Sequence, residues 1–231
     1  MRSRFKRTWQ HSRTAQLILA LTLGVALAPW QNPARLTDAP PEAQAQAATT
    51  NSETAVFSGG CFWGVDAVFK RVKGVTVVTS GYSGGNADTA QYETVSSGTT
   101  GHAESVQVIY DPSEVSYPTL LKVFFLVAHD PTELNRQGPD EGTQYRSVIF
   151  YASDQQKKAA LDYIGQLEED KTFSEPIVTQ VVPLKHFYPA EEYHQDYFER
   201  YPKNPYIVFN DWPKVKKLQE EFPSLYQQYN Q

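Results

Sequence analysis

Apolar and polar positions repeat with a period near two in some stretches of the chain and near 3.6 in others, and the two kinds of stretch are interleaved. Thr54-Ala55-Val56-Phe57, Thr76 to Ser80, Glu104 to Tyr110, Val148 to Tyr151 and Ile177 to Val182 are short and rich in β-branched or aromatic residues, so they predict strands. Val65, Val68, Phe69 and Val72 recur at helical spacing, and Lys73-Gly74 supplies a stop signal. Residues 117–128 predict a second helix. A third runs from a cap at Ser153 or Asp154 to about Glu169, and Glu191 to Tyr201 makes a short aromatic one. Residues 84–102 form a polar Gly/Ser/Thr-rich loop holding Tyr92, and residues 130–144 form a second polar loop. Loops this long are uncommon unless they serve a site. From Pro202 the tail is mostly aperiodic until Val215 to Phe222. Interleaved strands and helices without an internal repeat predict an α+β domain, an α/β two-layer sandwich with long loops and an irregular C-terminal tail. Strand order is not readable from this pattern.

The N-terminus has a different character. Arg2, Arg4, Lys6, Arg7 and Arg13 precede an apolar run from Ala15 to Ala28, 14 residues long. That suits a secretory signal and falls short of the ~20 residues a spanning helix wants. Residues 1–28 are therefore expected to be a signal peptide, cut after Ala28 or later at Ala45-Gln46-Ala47, or an N-terminal anchor if uncut. No adjacent Arg pair is present, which argues against a twin-arginine route. Residues 29–52, rich in Ala, Pro, Gln and Thr, read as a disordered linker, and residues 53–231 as one domain. The expected location is exported: a periplasm, cell envelope or comparable lumen. Residues 1–47 hold 6 of the 21 basic and 2 of the 26 acidic residues, leaving 15 against 24 and a net charge of −9. Nucleic-acid binding is disfavoured by that balance.

The chain has one cysteine, Cys61, in Gly59-Gly60-Cys61-Phe62-Trp63-Gly64, where a strand breaks on glycines and a helix begins. An exported domain with one cysteine has no internal disulfide, and a lone free cysteine is otherwise most often a small buried hydrophobe. The flanking glycines and aromatics turn the reading toward a nucleophile. At a helix N-terminus the unpaired N–H groups and the helix dipole favour a thiolate, so the pKa is expected below ~8.5. The only methionine is Met1, which fits work under oxidative stress.

Six motifs lie in order between positions 60 and 195: Gly60-Cys61-Phe62-Trp63-Gly64, Gly81-Tyr82-Ser83-Gly84-Gly85, Tyr92, Gly101-His102-Ala103-Glu104, Asp140-Glu141-Gly142-Thr143-Gln144-Tyr145-Arg146-Ser147, and Ala190-Glu191-Glu192-Tyr193-His194-Gln195. Together they resemble the peptide methionine sulfoxide reductase A family, in its single-cysteine form. The resemblance implies a ferredoxin-like core and thiol-dependent reduction of methionine S-sulfoxide, free or in proteins. Cys61 is then the nucleophile and Glu104 the proton donor to the departing oxygen, since a carboxyl in a partly apolar pocket keeps its proton near neutrality. Tyr92 and Tyr145 resemble the two tyrosines that hydrogen-bond the sulfoxide oxygen, and Asp140 the acidic member of the cluster, with a catalytic or a structural role. Phe62 and Trp63 supply an aromatic wall for the S-methyl group. Adjacent residues on a helix do not share a face, so at least one should line a cleft. His102, in the same motif as Glu104, is placed with the substrate-binding residues.

Attack by Cys61 leaves a sulfenic acid, and the chain has no second cysteine to resolve it. An external thiol is therefore expected: thioredoxin, glutaredoxin, a small thiol or an exported relay protein. No bound cofactor is expected, and a monomer is. Cys with His102 or His194 raises a thiol-hydrolase alternative, but the surroundings of Cys61 do not match those local signatures. The five histidines, at 11, 102, 129, 186 and 194, show no metal-ligand spacing, and Gly81 to Gly85 lacks the Lys and helix of a phosphate loop. The rival class is a non-catalytic exported domain that binds Met-rich or oxidised segments.

Overall fold

Strand β1 (Glu53–Ser58) shows how a short apolar run becomes the middle of a sheet. Its residues alternate faces: Ala55 and Phe57 enter the main core, while Val56 joins Ala103, Val148 and Phe150 on the opposite face. The computed structural model describes residues 51–229, so the signal peptide expected over 1–28 and all but the last two linker residues of 29–52 lie outside the described residues. Among the described residues, no helix is long and apolar enough to cross a membrane.

After β1 the chain forms α1 (Phe62–Lys70), β2 (Val75–Ser83), the short α2 (Tyr92–Val95), β3 (Ala103–Tyr110), and α3 (Tyr117–Val123) running into a π-helical turn, Phe124–Ala128. Next come a two-residue pair, β4 (Arg136–Gln137) with β5 (Asp140–Glu141), then β6 (Val148–Tyr151), α4 (Asp154–Glu169), β7 (Gln180–Pro183) and β8 (Phe187–Pro189). The C-terminal part holds α5 (Tyr197–Arg200), a π-helical turn Ile207–Asp211, and α6 (Trp212–Glu221). The main sheet has the order β7-β6-β1-β3-β2-β8, antiparallel except for the parallel β6–β7 pair. This mixed α+β architecture places α1 over β2 and β3, with Phe57 packed between Phe69 and Phe124 at centroid distances of 5.2 and 4.9 Å.

Four expected elements differ in extent. The helix expected over 117–128 is α-helical only to Val123. The strand expected over 177–182 is ordered into the sheet only from Gln180, because the Val178 N–H donates instead to the carbonyl of Pro131 at 2.9 Å. The helix expected over 191–201 breaks into a 3₁₀ turn (Glu192–His194) and α5. The Gln195 side chain accepts from the N–H of Ser80 and donates to its carbonyl, and Asp196 takes a left-handed conformation at φ +54°. Those side-chain bonds to β2 outcompete helix continuation. The tail read as aperiodic before Val215 is helical by Ile207, where a π-helical turn runs directly into α6 with Pro213 just past the junction.

Candidate active site

Gly60 makes the turn that presents the cysteine. It sits at φ +89°, and a Cβ there would lie 2.5 Å from Cγ of Gln137, so both conformation and space demand glycine. Cys61 then takes the N-cap position of α1, with 7 % of its surface exposed. Its sulfur opens on a cavity of about 200 Å³ lined by Cys61, Phe62, Trp63, Tyr92, Glu104, Asp140, Tyr145 and Tyr206.

Glu104 reaches this cavity by strand parity. It shares a face of β3 with Val106, Val108 and Tyr110, all core residues, and so points beneath α1. Its carboxylate oxygen accepts the Phe62 N–H at 3.0 Å, an orphan donor of the first helical turn. Burial pushes its pKa from 4.5 up to about 8; the Phe62 N–H and Cys61 oppose the rise and the charge of Asp140 adds to it. At neutral pH the group is a carboxylic acid.

Tyr92 begins α2 and is held by Glu191, which accepts the Tyr92 N–H through one oxygen and the Tyr82 hydroxyl through the other, both at 2.9 Å. Tyr145 ends a 3₁₀ turn fastened to the neighbouring loop: Thr143 Oγ1 donates to the Gly98 carbonyl at 2.6 Å, and the Arg146 guanidinium to the carbonyls of Gly101 and His102. Burial, then the charges of Glu104 and Cys61, raise both phenols above their ordinary pKa, so both remain donors. Trp63 stacks on Tyr197 at 3.7 Å, within 6° of parallel, and its indole N–H donates to Nδ1 of His194 at 3.2 Å. Phe62 lies beneath it against Tyr82 and His194. Asp140 closes the far side and accepts the Tyr206 hydroxyl; its pKa is raised by burial against the pull of Tyr206 and Lys214. One wall of the cavity is thus aromatic, the other carries hydroxyls and a carboxylic acid.

A family model of peptide methionine sulfoxide reductase matches residues 53–225. The chain belongs to the peptide methionine sulfoxide reductase family. It is 59 % identical over 179 residues to MsrA 2 of Mesorhizobium japonicum, covering 78 % of this chain and 92 % of that one. It is 53 % identical over 171 residues to MsrA 2 of a Synechocystis species, covering 74 % and 80 %. Among solved structures it resembles reduced Mxr1 of Saccharomyces cerevisiae (TM-score 0.61, 34 % identity, 66 % of this chain and 87 % of that one). It also resembles methionine sulfoxide reductase A of Corynebacterium diphtheriae (TM-score 0.58, 34 % identity, 66 % and 76 %). This reductase reduces methionine sulfoxide in peptides to methionine, a repair of oxidised protein.

The structure of the reductase brings together Cys61, Phe62, Trp63, Tyr92, Glu104, Asp140 and Tyr145, with both adjacent aromatics on the wall. It does not bring His102 there. That ring is buried behind the loop, where Nδ1 accepts the Gly85 N–H at 3.2 Å and Nε2 donates to the Asn86 carbonyl at 2.9 Å, so His102 shapes the turn after β2 rather than touching the cavity. The thiol expectation is also reversed. Burial, reinforced by the charges of Glu104, Asp211 and Asp140, raises the Cys61 pKa well above its ordinary value, and the Trp63 N–H alone works the other way. The N-terminal position is as expected, but desolvation outweighs the helix dipole of a nine-residue helix. Tyr206 lines the cavity without a signal in the sequence, and His194 backs Phe62 and Trp63. Tyr206 lies in a stretch with no apolar period, and only the partner it finds, Asp140, marks it.

Among the described residues no group of three or more His, Cys, Asp or Glu is arranged to hold a metal ion.

Proposed function

We propose that Cys61 attacks the sulfur of methionine S-sulfoxide, free or in proteins, while Glu104 protonates its oxygen. The observation that carries this is a buried carboxyl, protonated up to a pH of about 8, in the same small cavity as the only thiol. Tyr92 and Tyr145 donate to the sulfoxide oxygen as charge develops on it. As Glu104 gives its proton to that oxygen it takes the thiol proton, so the carboxyl ends the step as it began. A bond forms between Cys61 and the substrate sulfur. The hydroxyl then passes to the Cys61 sulfur as the substrate sulfur leaves with the bonding pair: methionine is reduced by two electrons and Cys61 is oxidised to a sulfenic acid.

The methyl group against Phe62 and Trp63, the oxygen against the hydroxyls and the rest of the substrate toward the mouth fix three directions around a pyramidal sulfur. One epimer alone satisfies them, and the family resemblance makes it the S form. With dithiothreitol as reductant, dabsyl-methionine S-sulfoxide should turn over, the R epimer should not, and Cys61→Ser should be inactive. Equal turnover of both epimers, or an active Cys61→Ser, refutes the assignment.

No second cysteine is available within the 231 residues, so two equivalents of external thiol close the cycle, giving disulfide, water and free Cys61. A thioredoxin-like dithiol is the proposed donor, because a bound mixed disulfide is released by its own second thiol. Single-turnover enzyme treated with an active-site Cys→Ser thioredoxin should trap that mixed disulfide, and its absence would exclude this donor. The basic and apolar N-terminus supports export. N-terminal sequencing of enzyme from an envelope fraction should begin after Ala28 or Ala47, or at Met1 if the segment anchors the protein; recovery only from the cytosol overturns it. The enzyme is proposed to act as a monomer, and a dimer mass in light scattering would count against that.

A further inference from the structure

Asp211 has no role in the step just described, yet it is the most completely enclosed carboxylate near the cavity, with none of its surface exposed. It ends the π-helical turn that runs without a break into α6, its own backbone helical, so it has no orphan first-turn N–H to cap. The carboxylate turns inward beneath the first turn of α1: a Cβ on Gly64 would lie 2.1 Å from its Oδ1 and 2.9 Å from Nζ of Lys214. Only a glycine, three residues after Cys61, leaves room for the two groups. Lys214 holds Oδ1 at 3.5 Å, and Oδ2 has no partner. A buried carboxylate with one oxygen unpartnered is costly.

We propose that Asp211, anchored by Lys214, is a positioning residue that sets a negative charge behind the Cys61 turn and so holds the resting cysteine as an unreactive thiol. The groups facing that thiol are Glu104 from β3, Asp140 from β5, Tyr92 from α2, Tyr145 from its 3₁₀ turn and Tyr206 and Asp211 from the C-terminal segment. Glu104 is neutral at pH 7, so it does not repel a thiolate there. Asp211, whose own pKa burial raises to about 6, is ionised there and does. The pair is oriented: the Asp211 charge falls on Cys61 and Tyr206, and the Lys214 charge on Asp140 and His129. An enzyme with no second cysteine has no internal disulfide to shelter an oxidised Cys61, and a thiol that stays protonated until substrate fills the cavity is the simpler protection.

The proposal rests on Cys61 being the reacting thiol, and alkylation by iodoacetamide reads that thiol without substrate, so its failure is distinguishable from failure of the sulfoxide assay. The thiolate displaces iodide, and the rate follows the ionised fraction. In Asp211→Asn and Asp211→Leu the midpoint of the alkylation rate against pH should move down, and the rate at pH 7.5 should rise about 3- to 10-fold. Asp211→Asn keeps an oxygen for the Lys214 ammonium and should stay folded near the wild-type melting temperature, whereas Asp211→Leu strands Lys214 and should melt lower. A midpoint that stays or rises in either folded variant overturns the proposal. Failure of both to fold would make Asp211 a structural residue and overturn it equally.

Discussion

Replacing Glu104 by Gln keeps the shape of the side chain, and an oxygen for the Phe62 N–H, while removing the titration on which the proton-donor role depends. Glu104 is 3 % exposed, and burial carries its pKa from 4.5 to about 8. A raised folded-state pKa means stability that is fully present below 4.5 and lost as pH rises through 8, because the unfolded chain releases a proton that the folded chain must keep. At about 1.4 kcal/mol per pH unit, the loss is about 3 kcal/mol at pH 7 and about 5 kcal/mol above pH 8. In Glu104→Gln it is absent. Urea unfolding of both proteins at pH 4, 5.5, 7 and 8.5 should show the variant gaining on wild type by those amounts. Asp66, Asp211 and His129 also titrate in this range, near 7, 6 and 4, but they are common to both chains and cancel in the difference. Over the same range kcat should fall about 10²- to 10⁴-fold in the variant, the usual weight of a positioned proton donor. A stability difference independent of pH would refute the buried-acid argument even if activity were lost.

Tyr92→Phe and Tyr145→Phe should each lower kcat about 10- to 100-fold with less than about 1 kcal/mol change in stability, since each removes a donor to the sulfoxide oxygen; unchanged kcat in both would remove them from that role. Lys70 is 6 % exposed and pairs with Asp66 and Asp196 at 2.6 Å, so Lys70→Met should cost about 3–5 kcal/mol at pH 8 by stranding Asp66. The loss should shrink at pH 5, where Asp66 takes up a proton; equal losses at both values would show that packing, not charge, is at stake.

What the sequence disclosed, and what it hid, divide along range of interaction. The glycine pair before Cys61 and the apolar spacing after it depend on neighbours in the chain, and both the turn and α1 are legible from them. The inward aim of Glu104 was equally available from its parity with Val106, Val108 and Tyr110. By contrast, the site of His102 was hidden, because a histidine beside a site motif binds substrate or braces a turn according to which loop folds against it. The thiol pKa departs from the expected direction for the same reason. The dipole at a helix start is local and visible, whereas enclosure by Tyr206 and the charges of Asp140 and Asp211 come from segments 79 to 150 positions away. Tyr206 immediately precedes, and Asp211 ends, a π-helical turn, whose wider hydrogen-bonding spacing leaves no 3.6 period to find, and such turns concentrate at functional sites.

One physical cause, exclusion of water from about 200 Å³, raises both Glu104 and Cys61. The two effects are opposite in their use. A raised carboxyl is an available acid at neutral pH, while a raised thiol is a poorer nucleophile. They cannot be tuned apart by opening or closing the cavity, since any change that admits water would free the thiolate and strip the acid of its proton together. Independent control needs a charge that bears on one group more than the other. Glu191 and Phe62 fix the hydroxyl and acid side, and Asp211 lies on the far side of the Cys61 turn, against Gly64. The charge acting on Cys61 but not among the largest influences on Glu104 is that of Asp211, which is why a carboxylate with an unpartnered oxygen is tolerated there and an apolar residue of the same size would not serve.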